Sequence, residues 1–222
     1  TSKVETYAQR PSQPWLRLPV FLVVAVVMVT LSAVTALADS SSRNVWQQSA
    51  GTVPQPVTIY LGFKSSDEIE FDDDQEDFIY KNEDIVAFAP GTGEFSIYFD
   101  GSECGLTDAN LDDFDMLENG DIIFTLRSEF TIEGLGEVDD SDVIAYTPST
   151  EGCGTFGYYV VGADVGLTQG EEDIDALGID EDGSLVISTI GTAHVPGIDG
   201  ELEVKDTDLI KWDPATETWS LY

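Results

Sequence analysis

Apolar residues fall along this chain in two unlike patterns. From Leu18 to Ala38 they run unbroken, as LPVFLVVAVVMVTLSAVTALA, without a charge. From Val57 onward they come as short clusters of Ile, Val, Phe and Tyr, partly alternating with polar residues and punctuated by Gly, Asn-Gly, Asp-Gly or Pro. The first pattern predicts one transmembrane helix, because a run of this length spans ~31 Å at the α-helical rise and so crosses the hydrocarbon layer. The second predicts β-strands joined by tight turns. No stretch of about 12 residues after Ala38 carries a helical period.

These patterns divide the chain into a cytoplasmic tail (1–15), a transmembrane helix (16–38), a polar linker (39–56) and a β-repeat domain (57–222). Pro19 falls in the first turn of the span, where its missing N–H costs nothing. Trp15 and Arg17 sit at the expected interface. The span has no ionisable residue after Arg17, so it offers no proton relay and no imidazole ligand. A cleavable signal peptide is the rival reading, since Ala36-Leu37-Ala38 is a small-x-small site. The apolar run is longer than the roughly 7–15 residues usual for such a region.

The strand clusters repeat with a period of about 60 residues, the kind of self-similarity that defines an array. FSIYFDGSECGLT from Phe95 is followed by LDDFDMLENGDIIFTL and by IEGLGEVDDSDVIAYTP, ending at Pro148. FGYYVVGADVGLT from Phe156 is followed by EDIDALGIDEDGSLVIST and by VPGIDGELEVKDTDLIKWDP, ending at Pro214. Gly101 matches Gly162, Asn119-Gly120 matches Asp182-Gly183, and Asp140 and Asp142 match Asp206 and Asp208. An abbreviated first unit runs from VTIYLGF to NEDIVAFAP, and WSLY restarts the pattern at Trp219. The units are about 57–94, 95–154 and 155–222, each full one holding four short strands. A propeller-like array of four-stranded units is the predicted architecture, although about 4–8 blades is usual; a β-sandwich is the alternative.

FSIYFDGSECGLT, LDDFDML, the NG or DG turn and VDDSDVIAYTP resemble β-strand repeats of predicted extracellular bacterial proteins, over residues 57–222. The first unit departs from that pattern by losing most of its middle strands. Those proteins have no established activity, so the resemblance implies an extracytoplasmic address and no chemistry.

Charge sharpens the topology. The chain has 43 Asp and Glu against 9 Lys and Arg, a net charge of −34. Lys3, Arg10 and Arg17 precede or open the span, while 42 of the acids follow it. That asymmetry puts the N-terminus in the cytoplasm and the β domain on the periplasmic or extracellular side. So negative a surface repels nucleic acid and favours cations or a basic protein surface. The two cysteines, Cys104 and Cys153, both lie in the acidic domain and would pair in an oxidising compartment.

Acidic pairs two residues apart recur at matched places in the repeat: Asp113 and Asp115 with Asp173 and Asp175, and Asp140 and Asp142 with Asp206 and Asp208. Strand residues so spaced share a face, and two carboxylates could hold part of a Ca²⁺ shell. The competing reading makes them acceptors for turn N–H groups. The lone histidine, His194, has no counterpart in the second unit, and no nucleophile elbow, phosphate loop or zinc signature is present. The sequence therefore predicts a non-catalytic accessory subunit of a membrane complex, needing no cofactor and partnered by other membrane subunits. A Ca²⁺-dependent adhesion module is the alternative, and a carboxylate-based hydrolase a third.

Overall fold

The computed structural model describes Met28–Val29, residues 57–71 and residues 76–222. The tail 1–15, the linker 39–56, the Asp72–Asp74 run and the span 16–38, apart from Met28–Val29, lie outside the described residues. Among the described residues no helix is long and apolar enough to cross a membrane. Their one helical element is the 3-10 turn Gly162–Val165, and the rest is β-structure, as the clustered pattern predicts.

The described residues build three main sheets in series and two separate two-stranded hairpins. Strand β1 (Met28–Val29), inside the predicted span, pairs antiparallel with β2 (Ile59–Leu61). A separate hairpin, β3 (Asp67–Ile69) and β4 (Phe78–Tyr80), precedes β5 (Ile85–Ala89) and β6 (Glu94–Phe99). Sheet 1 has the order β1-β2-β5-β6.

Sheet 2 begins with β7 (Leu111–Met116) and β8 (Ile122–Leu126). The hairpin β9 (Phe130–Ile132) and β10 (Gly136–Val138) follows, then β11 (Val143–Thr147) and β12 (Thr155–Val160), giving the order β12-β11-β8-β7. Sheet 3 holds β13 (Ile174–Ile179), β14 (Leu185–Thr189), the inserted hairpin β15 (Ala193–Gly197) and β16 (Gly200–Val204), β17 (Ile210–Asp213) and β18 (Thr218–Leu221). In this sheet the inserted hairpin joins the edge through the parallel contact of Gly197 with Trp219. Each sheet takes its last strand from residues that open the next sequence unit, so sheets and sequence repeats are offset by one strand.

Hairpin chemistry sets the register. Gly120 and Gly183 adopt φ values of 90° and 84°, as the Asn-Gly and Asp-Gly dipeptides require. The Asn119 side chain accepts the Asp121 N–H at 3.0 Å, and the Asp182 side chain accepts the Ser184 N–H at 3.0 Å. Both turns deliver a strand into the core. In β8 every residue is buried. Ile122, Phe124 and Leu126 join the core shared with sheet 1, while Ile123 joins the core shared with sheet 3. A strand sandwiched between two sheets has no solvent side, which is why Ile-Ile-Phe-Thr-Leu lacks alternation.

Each sheet thus has an upstream face, toward the preceding sheet, and a downstream face, toward the next. The upstream face of sheet 2 presents Ile122, Phe124, Ile144 and Tyr146 to Ile85 and Phe99 of sheet 1. Its downstream face presents Ile123 and Val143 to Ile174, Leu177, Ile187, Ile210 and Trp219 of sheet 3. The Trp219 indole N–H, fully enclosed, donates to the Val165 carbonyl at 2.8 Å.

A disulfide ties the first junction. Cys104 follows the last strand of sheet 1, Cys153 lies in the β11–β12 connection of sheet 2, and their Cα atoms are 5.3 Å apart. The bridge closes a loop with a sequence separation of 49. A bridge of this kind contributes ~2–4 kcal/mol by restricting the unfolded chain. Reduction should lower the denaturant midpoint accordingly; equal midpoints with and without reductant would show that packing of Phe99 and Tyr146 alone holds the junction.

Candidate functional site: carboxylate junctions and two unlike end faces

Acidic side chains gather where one sheet passes to the next, and most of them are bonded to the main chain. The first set is a lock repeated at each sheet. Asp142 accepts the Asp139 N–H at 2.9 Å through Oδ2 and the Gly162 N–H at 2.8 Å through Oδ1. Asp84 does the same with the N–H groups of Lys81 (2.9 Å) and Gly101 (3.1 Å), and Asp208 accepts the Lys205 N–H at 3.1 Å. Each carboxylate closes a tight turn, the turn-capping use of Asp, and those of Asp84 and Asp142 also clasp the glycine that follows the neighbouring strand, β6 or β12. Asp84 was not singled out from sequence, although the recurring x-x-Asp before β5, β11 and β17 carries the signal.

The second set bridges sheets 2 and 3. Asp113 accepts its neighbour Phe114 N–H at 2.9 Å and, with Oδ2, the Leu177 N–H of β13 at 2.7 Å. Two residues on, Asp115 accepts the Met116 N–H and, at 2.7 Å, the Ile179 N–H. Strands β7 and β13 are the adjacent edges of their sheets, and these two carboxylates substitute for a backbone ladder between them. Burial raises the Asp113 carboxyl to about 6, against the pull of the two N–H donors. Burial also raises Asp115.

Asp140 and Asp173 form the third set. Burial, hydrogen bonding to Asp139 and the nearby Asp173 push Asp140 up to about 7, and burial raises Asp173. Their backbone carbonyls accept the N–H groups of Ile174 and Ile190, at 3.2 and 2.9 Å. The corresponding carbonyls at the sheet 1–sheet 2 junction belong to Asn82 and Asn110, which accept Leu111 and Arg127. A neutral amide pair in one junction is thus an acidic pair in the next.

That ladder correspondence corrects the sequence alignment of the acidic pairs. Leu111 stands where Ile174 stands, so Asp113 aligns with Ala176, and Asp173 and Asp175 align with Asn110 and Asp112. Asp175 and Asp206 are exposed, while Asp113, Asp115 and Asp142 are buried. The structure brings Asp113 and Asp115 together on one seam and Asp140 and Asp173 together on another; it does not unite the eight residues. Among the described residues no group of three or more His, Cys, Asp or Glu is arranged to hold a metal ion.

Glu172, which sequence reasoning passed over, is 1% exposed and holds three main-chain groups. It accepts the N–H groups of Thr168 (2.6 Å), Gln169 (2.9 Å) and His194 (3.0 Å). The His194 ring lies at the surface, 3.4 Å from Glu201. An open groove of about 840 Å³ beside the disulfide is lined by Tyr98, Asp100, Glu103, Tyr146 and Pro148. Within it the Asp100 carboxylate already accepts the Ser102 hydroxyl and the Glu103 N–H, which help hold its pKa below the ordinary value.

The two ends of the series differ. On the downstream faces of sheets 1 and 2, ladder-equivalent positions hold Ala87 and Ala145, small enough for the next sheet to approach. The equivalent residue of sheet 3 is Lys211, whose Nζ lies 2.7 Å from Asp180 and 2.6 Å from Asp182. Tyr222 adds a hydrogen bond to Asp180 at 3.2 Å. Lys211 holds both carboxyls below their ordinary values, Asp182 at about 2. An ion network therefore covers this end, as a polar cap covers the last unit of a stacked array.

No family model matches this chain and no curated protein does. Among solved structures, it is similar to the extracellular domain of a putative one-component system from B. thetaiotaomicron, at 8% identity and a TM-score of 0.31. A second is the extracellular domain of a putative hybrid two-component system from the same organism, at 10% identity and a TM-score of 0.20. Each match covers 75% of this chain and 34% of the other, so the chain spans about a third of those structures' length.

Proposed function

We propose that this chain is a non-catalytic, single-pass accessory subunit of a larger membrane assembly, its acidic domain serving as a rigid interaction module on the outer face. The observation that carries this reading is the use made of the interior carboxylates. Asp84, Asp113, Asp115, Asp142 and Glu172 each bind two or three main-chain N–H groups, so they hold sheets in place rather than converging on a substrate. The three sheets pack in series as a body that neighbouring subunits can grip, and segment 16–38, the proposed membrane anchor, lies outside the described residues except for Met28–Val29, which pairs with β2.

Gentle detergent extraction from the native membrane, followed by mass spectrometry, tests this reading. Other membrane subunits should co-migrate in fixed ratio with a chain whose peptides still include residues 1–38. A monomer in mild detergent, or a released chain beginning at Asp39, would overturn it.

A further inference from the structure

The upstream face of sheet 1 has no sheet before it among the described residues, yet it is built like the faces that do. Ladder registers align Leu61, Val86 and Ile97 across the sheet, and Ile59, Phe88 and Phe95 beside them. The equivalent positions of sheet 2 are Phe124, Ile144 and Tyr158, with Ile122, Tyr146 and Phe156. In sheet 3 they are Ile187, Ile210 and Leu221, with Leu185, Trp212 and Trp219. Four of the six are buried in sheet 2 and four in sheet 3, whereas only Val86 is buried in sheet 1. Ile97 is 36% exposed, and Val57, just before β2, 46%.

This is the apolar face of an interior unit placed at an end. The far end of the series carries the Lys211 ion network instead, so among the described residues one end face is capped and the other is not.

The border of the uncapped face indicates what it meets. Phe71 and Phe78, at the two sides of the β3–β4 hairpin, pack on Phe95 with ring centroids 6.2 and 5.8 Å away. The hairpin that lies beside this face carries the exposed Asp67, Glu68, Glu70 and Asp77. A second copy of this chain would set acidic rim against acidic rim, and an anionic lipid surface would be repelled in the same way. The hairpin is flanked by Lys64 and Lys81, but its four exposed acids leave this border net negative, and an apolar patch with such a border suits a protein surface with a basic rim.

We infer that the upstream face of sheet 1, built on Ile59, Leu61, Phe88, Phe95 and Ile97, docks a neighbouring membrane subunit through an apolar surface bordered by Lys or Arg. The inference rests on the accessory-subunit reading and names the surface that reading requires.

Photo-crosslinking in the native membrane tests it, with a benzophenone amino acid replacing Ile97 in one full-length variant and Leu209, 46% exposed beside the ion network, in another. Both positions are exposed, so both variants keep the fold. The Ile97 variant should form an adduct with a different subunit whose crosslinked segment contains Lys or Arg, and the Leu209 variant should form none. A paired Asp67→Lys and Glu68→Lys change should abolish the Ile97 adduct.

Adducts from position 209 alone would overturn the choice of face. An Ile97 adduct to a second copy, to lipid or within the same chain would overturn the choice of partner. No adduct from Ile97 while partners still co-purify would overturn the docking surface but leave the accessory role standing. Loss of co-purification in the unmodified protein would remove the role itself.

Discussion

Replacing Asp113 and Asp115 together by Ala should destabilise the protein by about 4 kcal/mol and open the seam between sheets 2 and 3. The Leu177 and Ile179 N–H groups lose their acceptors at 2.7 Å, the first buried and the second half-buried in the interface. Each buried N–H left without a partner costs ~1–3 kcal/mol, and two further donors, Phe114 and Met116, are stranded with them. Removing two desolvated carboxylates gives back part of this, but removing one side of a buried polar contact usually costs more than the contact contributes. Hydrogen exchange locates the damage. The amides of Leu177 and Ile179 should lose protection while those of β5, across the other junction, keep theirs. Unchanged protection at 177 and 179 would mean that hydrophobic packing of Ile123 and Val143 on Leu177 and Ile187 alone closes the seam.

The same carboxylates make the seam pH-dependent. The folded Asp113 carboxyl titrates at about 6, above the ordinary aspartate value of 3.8, because burial disfavours its charge. A carboxyl whose folded pKa is raised contributes stability that is fully present below the unfolded value and lost as the pH rises through the folded one. For Asp113 the gap corresponds to ~3 kcal/mol, gained between pH 8 and pH 4. Asp140, at about 7, acts in the same direction at the start of that range. Acidification also relieves the general repulsion of a very acidic domain, so the wild-type rise alone does not isolate Asp113. Asp113→Asn does: it keeps one acceptor oxygen, removes the charge, and should flatten the rise in melting temperature between pH 8 and pH 5. A variant with the wild-type slope would refute a seam controlled by Asp113.

Much of this was legible in the sequence. The all-β fold, the Asn119-Gly120 and Asp182-Gly183 hairpins and the pairing of Cys104 with Cys153 follow from local signals that the structure bears out. The match of Asp113 and Asp115 with Asp173 and Asp175 fails because LDDFDM and EDIDAL align by residue type one way and by ladder another, whereas Asp142 and Asp208 do close equivalent turns. Each strand carries a bulge, after Leu111 and after Ile174, and only the hydrogen-bond register shows that Asp113 faces Ala176 in the repeat. The offset between sheets and sequence units was illegible for a related reason, since the partner of a strand is a non-local choice. Lys211 looks like an ordinary surface lysine until the ladders place it where Ala87 and Ala145 admit the next sheet. Which face of the array is finished and which is open is therefore a property of registers, not of composition.

Gly162→Ala should be among the most damaging single changes in the chain, costing about 4 kcal/mol, because it strikes the lock from both sides. A Cβ at this position would meet the Ser141 carbonyl oxygen and hydroxyl well inside contact distance, and the Ser141 carbonyl carbon at 2.8 Å. The backbone on both sides is fixed: Ser141 lies in the turn that Asp142 closes, and Gly162 begins the 3-10 turn that buries Val165. Relief requires the strand to back away, which breaks the Gly162 N–H bond to Asp142 and leaves a buried carboxylate with one donor instead of two. Gly101 sits in the same trap at the first sheet, its absent Cβ facing the Glu83 carbonyl, so Gly101→Ala should fail in the same way. Gly157→Ala, in the same strand as the approach to Gly162 but with open space around the new methyl, should change stability little. Denaturant unfolding of the three variants decides the matter. If Gly157 and Gly162 tolerate Ala equally, the turn and the departing strand are not locked, and the rigidity on which an interaction module depends must come from the apolar cores alone.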